Sequence, residues 1–361
     1  MKKIFAIGLS LFSLVIFGCG GDSGTGGGGG DDFEQENVVV YTTSTIPSIE
    51  NINDAIWDSA AVTLVRVGHD TSYGVNSAFA DDTMSLQAIV ASDTLFLRAR
   101  WRDYTADSAG NYIRKSSGTG SWELVNIADA GAGEDCLFII FDGGNNGTEK
   151  ADCASMCHAT ANSMSTTGGG QADAWAWRSG TTNPVKMAED QWIRPTGTAL
   201  TGDQLTSGNR LAYFTNWSQI GLQQPIFMHV TDTAYHGIYL YTTDTVAYFY
   251  LGYGWDAVQG YRMPAYYVDS TVYKDPNAGD RWDVKAMSGH SANYWTVVMK
   301  REMTTPSSIE ATRYDMDFAG LDSIQVTIAI SNHHTDIVED GGWREHSGSI
   351  PFYLVFNRPT P

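Results

Sequence analysis

Cys153, Cys157 and His158 carry the most distinctive chemistry of this chain, in the segment Cys153-Ala-Ser-Met-Cys157-His158. Two thiols followed at once by an imidazole form the local pattern of covalent haem attachment. In that chemistry the sulfurs add across the haem vinyl groups and the adjacent histidine becomes an axial iron ligand. The usual spacing has two residues between the cysteines, and here there are three. A small-loop disulfide, or a pair of buried thiols beside an unrelated histidine, is the competing reading. Met156 and Met164 flank the motif. Met164 is a candidate ligand, although a methionine in such a place more often packs.

The elements that position this segment begin with the N-terminus. Lys2-Lys3 precede an apolar run from Ile4 to Phe17 that is short for a bilayer span and has the form of a signal-peptide core. The run ends Ile16-Phe17-Gly18-Cys19, a lipobox-like pattern. Cleavage before Cys19 would leave that thiol lipidated and the mature chain anchored. Gly20 to Asp32 reads GGDSGTGGGGGDD, which cannot pack and acts as a tether. The expected organisation is a signal over residues 1–18, a lipidated Cys19 with its tether over 19–44, and one folded domain over 45–357. Gly20 stands where enterobacterial lipoproteins retained at the inner membrane carry aspartate, so the outer membrane is the expected location.

With Cys19 lipidated, Cys136, Cys153 and Cys157 remain. Two thioethers leave Cys136 over, and so does a Cys153–Cys157 disulfide. A disulfide from Cys136 to one motif cysteine, with a single thioether, consumes all three. Parity leaves these alternatives open.

The chain has 361 residues and a net charge of −19, which becomes −21 once Lys2 and Lys3 leave with the signal. So acidic a surface argues against nucleic acid and anionic lipid as direct partners. It suits an extracytoplasmic protein that stays soluble by charge, and docking to a basic redox partner. No Gly-rich dinucleotide loop, iron–sulfur cysteine set, nucleophile elbow or zincin helix is present, which leaves a hydrolase as a distant reading.

The hydrophobic pattern is that of an all-β antiparallel sandwich. Leu95, Leu97, Ala99 and Trp101 alternate with Phe96, Arg98 and Arg100, the period of a half-buried strand, and Ser92-Asp93 reads as the turn from a strand over Leu86 to Ala91. Leu137 to Phe141 is continuously apolar, as a central strand covered on both faces would be. Trp295, Val297 and Met299 alternate, as do Ile324, Val326, Ile328 and Ile330. The last strand places Ile350, Phe352, Leu354 and Phe356 on one face. Cys136 then falls at the start of a central strand, and the Cys153–His158 motif falls in the following loop, after the turn-rich Asp142 to Gly147.

Several segments in order resemble one family. Asp173-Ala-Trp-Ala-Trp177-Arg178, then Asn183-Pro184 and Glu189-Asp190, is similar to the D-x-W-x-W-K…N-P…D-D segment of the ethylbenzene-dehydrogenase-type haem-binding domain. Met263-Pro264, Trp282-Asp283-Val284-Lys285, Trp295 to Arg301, Ile52 to Trp57 and Arg100 to Asp103 continue the resemblance across residues 45 to 357. It implies an immunoglobulin-like β-sandwich with long haem-binding loops, holding one haem near one end. It also implies two axial ligands from two loops. The first lies shortly before the W-x-W segment, where relatives with non-covalent b-type haem carry methionine and this chain has Cys153, Cys157 and His158. The second lies just before the last strand, where such relatives use lysine and this chain has His346. Imidazole is a better ligand at neutral pH than a protonated amine. His333 and His334 follow a predicted strand, and His334 is the alternative second ligand. Trp175 and Trp177 are candidates to line the haem edge. His69, His229, His236 and His290 read as surface or packing histidines.

The function expected is therefore electron transfer by a single haem, c-type favoured and b-type as the alternative. The protein would be a carrier or relay and not an enzyme by itself, or the haem subunit of a larger oxidoreductase. Its partner would be a redox protein such as a basic cytochrome or a molybdoenzyme subunit, with the membrane reached through the lipid. The competing class is a carbohydrate- or small-ligand-binding lipoprotein without haem. The opening INDAIW also resembles carbohydrate-binding modules of family 9, and Trp255, Tyr261, Tyr266 and Tyr267 could stack on sugar rings.

Overall fold

Alternating and continuous apolar runs build one large sheet. The computed structural model describes residues 35–68, 82–106, 112–115, 121–125, 134–142, 172–180, 182–193, 213–218, 224–229, 239–241, 245–247, 262–264, 266–268, 283–304, 315–331, 346–349 and 351–357. Chain contacts separate Met1–Glu34, which lies outside the described residues, from Gln35–Pro361. Twelve strands form the main sheet of the second unit: β1 (Val38–Thr42), β2 (Thr63–Gly68), β3 (Asp82–Ala91), β4 (Thr94–Arg102), β5 (Cys136–Asp142), β6 (Ala172–Arg178), β7 (Glu189–Ile193), β8 (Lys285–Ser291), β9 (Tyr294–Glu302), β10 (Ser323–Ser331), β11 (His346–Ser349) and β12 (Phe352–Phe356). The described residues contain no α-helix, only two 3-10 turns at Ala55–Ser59 and Asn183–Val185.

The strand order is β8-β9-β4-β3-β1-β12-β10-β5-β6-β7, with β2 joining β3 to β11 and β11 joining β2 to β10. The sheet curls into a sandwich. One layer is β8-β9-β4-β3 and the other β10-β5-β6-β7, with β1, β12, β2 and β11 along the side between them. At the far side the amide of Ala188 donates to the Val284 carbonyl and that of Ala286 to the Lys186 carbonyl, each at 3.0 Å. The two ends of the sheet are thereby joined.

The inward face of each strand is the apolar alternate: Leu95, Leu97, Ala99 and Trp101 on β4, Leu137, Ile139 and Phe141 on β5, and Ile324, Val326, Ile328 and Ile330 on β10 form one core with Trp175 and Trp177. The period of two is the reason, since successive side chains of a strand point to opposite faces. β5 is covered on both faces, because Ile140 and Phe138 pack outward against Ala172, Ala174, Ala329 and Ile193.

Two details depart from the sequence reading. β1 occupies Val38–Thr42, inside the span assigned to the tether, and Val38 and Val40 are buried in the core. β1 also pairs in parallel with both β12 and β3, within an otherwise antiparallel main sheet. On the last strand Phe352, Leu354 and Phe356 face the core as expected, and Ile350 lies outside the described residues. The 3-10 turn is capped by Asp54, whose carboxylate accepts the Ile56 amide. It seats Trp57 on Ile89, Phe96 and Val298, covering part of the outer face of the first layer. A Cβ on Gly289 would meet Ile52 Cδ1 at 2.8 Å, so the Ile52 side chain packs against the bare glycine backbone there.

Candidate functional site

β5 and β6 are adjacent strands of the second layer, and residues 143–171 connect Asp142 to its register partner Ala172. That connection contains Cys153, Cys157, His158 and Met164, all outside the described residues, as are His333, His334 and Cys19. His346 is described as the first residue of β11, opposite Ser331. Ser331 pairs with Cys136, and Cys136 with Arg178, so His346, Ser331, Cys136 and Arg178 stand in one row across three strand pairs.

This row lies at the opposite end of β5 from Asp142. Six strand steps separate Cys136 from Asp142, or about 20 Å. The segment bearing the CxxxCH motif and the segment leading to His346 are thus rooted at opposite ends of the second layer. His158 precedes Ala172 by 14 residues in the sequence, and so many residues span at most about 45 Å when extended. That length exceeds the separation of the two roots.

The Cys136 thiol is free and buried, and it donates to the Glu134 carbonyl at 3.5 Å. Burial first, and then the Glu134 charge, push its pKa well above the usual thiol value, so it stays protonated and is a poor nucleophile.

Trp175 and Trp177 are both 0 % exposed. Trp175 packs against Phe141 at 4.8 Å and Phe318 at 6.0 Å, and Trp177 against Trp295 at 5.1 Å and Trp101 at 6.0 Å. Neither ring has an exposed face. Among the described residues no hydrogen-bond acceptor meets their Nε1 donors or that of Trp101. His290, read as a packing histidine, is one: its ring lies 5.1 Å from Trp295 and its Nε2 is 3.0 Å from the Asp103 carbonyl oxygen. Tyr266 and Tyr267 lie in a small ladder, Tyr266–Val268, between Tyr213–Thr215 and Tyr239–Tyr241. Trp255 and Tyr261 fall outside the described residues.

The interior is polarised along its length. At the Cys136 end, Trp101, Trp177 and Trp295 cluster, and Trp295 Nε1 donates to buried Asp135 at 2.8 Å. At the other end Arg301 of β9 crosses the sandwich to Asp173 of β6 at 2.9 Å and Asp190 of β7 at 2.7 Å, all three side chains being nearly inaccessible. The guanidinium also lies over Trp175 and Phe318, at 5.2 and 4.9 Å. The Asp173 oxygen that meets Arg301 accepts the Met316 amide as well, at 2.8 Å. Asp190, Asp283 and Asp315 gather their carboxylates within 4.8 Å. Burial, then the neighbouring charge of Asp173, raises the Asp190 pKa well above the carboxylate range, with Arg301 opposing. Burial would lower the Arg301 pKa, but Asp173 and Asp190 more than reverse it, so Arg301 remains charged.

This network escaped the sequence reading. The available signal was parity: Arg301 continues the inward series Trp295, Val297, Met299, and Asp173 shares the inward alternate of Trp175 and Trp177.

Residues 54–335 match the family model described as ethylbenzene dehydrogenase, and the chain belongs to that family. No curated protein matches the chain. Among solved structures, one from Bacteroides uniformis is similar at 7% sequence identity and a TM-score of 0.34, over 91% of this chain and 94% of that one. Its description as carbohydrate-binding is itself an inference.

Proposed function

We propose that this member of the ethylbenzene dehydrogenase family is an exported, lipid-anchored haem protein that relays electrons. The observation that carries the reading is Cys153-Ala-Ser-Met-Cys157-His158, set between two adjacent strands of the second layer in a chain of a redox-related family. The donor set fits haem: two thiols for covalent attachment, an adjoining imidazole, and a second imidazole at His346. The interior beside Trp175 and Trp177 is filled by aromatic neighbours. On this reading haem belongs with the connections outside that core. Bound haem would supply one-electron chemistry. Cys153 and Cys157 would hold it, and His158 and His346 would ligate it. The protein would then act as a carrier or as the haem subunit of a larger oxidoreductase, with a redox protein as its partner.

A pyridine haemochrome spectrum of protein made with cytochrome-maturation machinery tests this. A covalent c-type spectrum that Cys153→Ala together with Cys157→Ala abolishes is expected, and absence of any Soret band overturns it. His346→Ala should convert a low-spin ferric spectrum to high-spin. A low-spin His346→Ala beside a high-spin His334→Ala would move the second ligand to His334. Release of the chain from membranes by Cys19→Ala tests the anchor, and a variant still membrane-bound after a high-salt wash would contradict it.

A further inference from the structure

The outer face of β4 runs against the charge of the whole chain. Arg98, Arg100 and Arg102 occupy successive outward positions, since their alternates Leu97, Ala99 and Trp101 are in the core. Outward neighbours on a strand are about 7 Å apart. Three cations therefore line a short strip on a chain whose formal net charge is −19.

Their surroundings differ in a useful way. Arg98 is internally engaged, donating to Gln87 at 2.8 Å and to Asn53 at 3.2 Å. Burial, and then the like charge of Arg100, lower its pKa. Arg100 and Arg102 are exposed, and each guanidinium is laid on a tyrosine: Arg100 is 3.9 Å from the Tyr294 ring centroid and Arg102 is 4.6 Å from that of Tyr104. Among the described residues no carboxylate stands at ion-pair distance from either. Stacking holds a guanidinium flat and leaves its N–H edges free for bidentate contact with a carboxylate. Arg98 has the charge of Asp58 nearby, whereas Arg100 and Arg102 are adjacent like charges without an ion-pair partner among the described residues, an unfavourable arrangement that an external anion relieves.

We propose that this arginine strip is a docking surface for an acidic protein segment, with Arg100 and Arg102 as its two contact points. Charge complementarity selects the occupant, and the local chemistry narrows it. Two forks about 7 Å apart match carboxylates two residues apart on an extended chain. Each guanidinium takes one face of the tyrosine beneath it and presents charged N–H edges, which a carboxylate satisfies better than a neutral sugar. A lipid surface would need apolar side chains to insert, whereas Ser85 and Thr296 pair with Arg100 on either side. The inference is independent of haem.

The test measures binding of labelled poly-L-glutamate to the full mature chain, with heparin and phosphatidylglycerol vesicles as competing probes. Poly-L-glutamate should bind at low ionic strength and weaken steeply with salt. Arg100→Gln together with Arg102→Gln should weaken it by about tenfold or more. Arg100→Lys with Arg102→Lys, which keeps the charge and loses the fork, should fall between. Lys186→Gln, an exposed cation already paired with Glu50, should leave affinity within about twofold. Melting curves identify any variant that fails to fold, and the lysine pair then carries the comparison. No binding of poly-L-glutamate to the wild type, equal binding by the glutamine pair, or arginine-dependent binding of heparin or vesicles in its place would each overturn the proposal.

Discussion

The two layers of the sandwich are joined up by opposite means. In the first, β3 meets β4 through Ser92 and Asp93, and β8 meets β9 through Ala292 and Asn293, all four with positive φ between 48° and 64°. Two-residue turns of this hand match the twist of the strands they connect and fix the register. In the second, β5 reaches β6 only through residues 143–171, and β10 reaches β11 through 332–345. The outer faces differ as well. The first layer presents Arg98, Arg100 and Arg102, whereas the second buries Ile140, Ala174 and Ala329 on its outer side. Chemistry-bearing side chains are disproportionately carried on long connections held by a rigid scaffold. The first layer is the scaffold, whereas Cys153, Cys157 and His158 fall in one connection of the second and His346 opens the strand that follows another.

Arg301 ties the layers together, so its loss tests the comparison most severely. Arg301→Met should cost about 3–5 kcal/mol, because Asp173 and Asp190 would stay buried without their cation. Urea unfolding measures it, and a loss below about 1 kcal/mol would show that the layers hold without the clamp.

Next comes the pH dependence of the same clamp. A folded-state pKa raised above the unfolded one means that Asp190 stabilises the fold below the unfolded carboxylate value of about 4. The contribution is lost as the pH rises through the folded value. The melting temperature of Asp190→Asn relative to wild type should therefore climb as the pH is raised from about 4 to about 8. A constant difference would show that the raised pKa does not exist.

The hairpins give a smaller effect. Ala292 holds φ 50°, a region that costs a residue with a Cβ. Ala292→Gly should stabilise by about 0.5–1 kcal/mol, read as a higher melting temperature. The smallest effect belongs to the second layer. Cys153→Ala with Cys157→Ala should move the melting temperature of the haem-free protein by less than about 2 °C while removing covalent haem. A large loss of stability would place the motif in the scaffold and erase the contrast.

The sequence by itself determined the strands and their inward faces. Leu95 to Trp101, Leu137 to Phe141 and Trp295 to Met299 declare their period of two, and Ser92-Asp93 declares its turn, because these are local properties of a half-buried strand. It also supplied the candidate donors Cys153, Cys157 and His158, and the segments by which the family is recognised, with His346 a candidate only through that resemblance. Only the tertiary structure decided what depends on pairing across the chain. The three valines from Val38 to Val40 read as the end of a tether until β12 takes them in parallel, with Tyr41 and Thr42 passing on to β3. Arg301, Asp173 and Asp190 looked like ordinary charges until the two layers closed on them. The register of β5 with β10 and β6 set the roots of the two candidate haem connections about 20 Å apart. Hydrophobic period is written along one strand, whereas partners, burial of charge and distance between loops arise only when strands far apart in sequence meet.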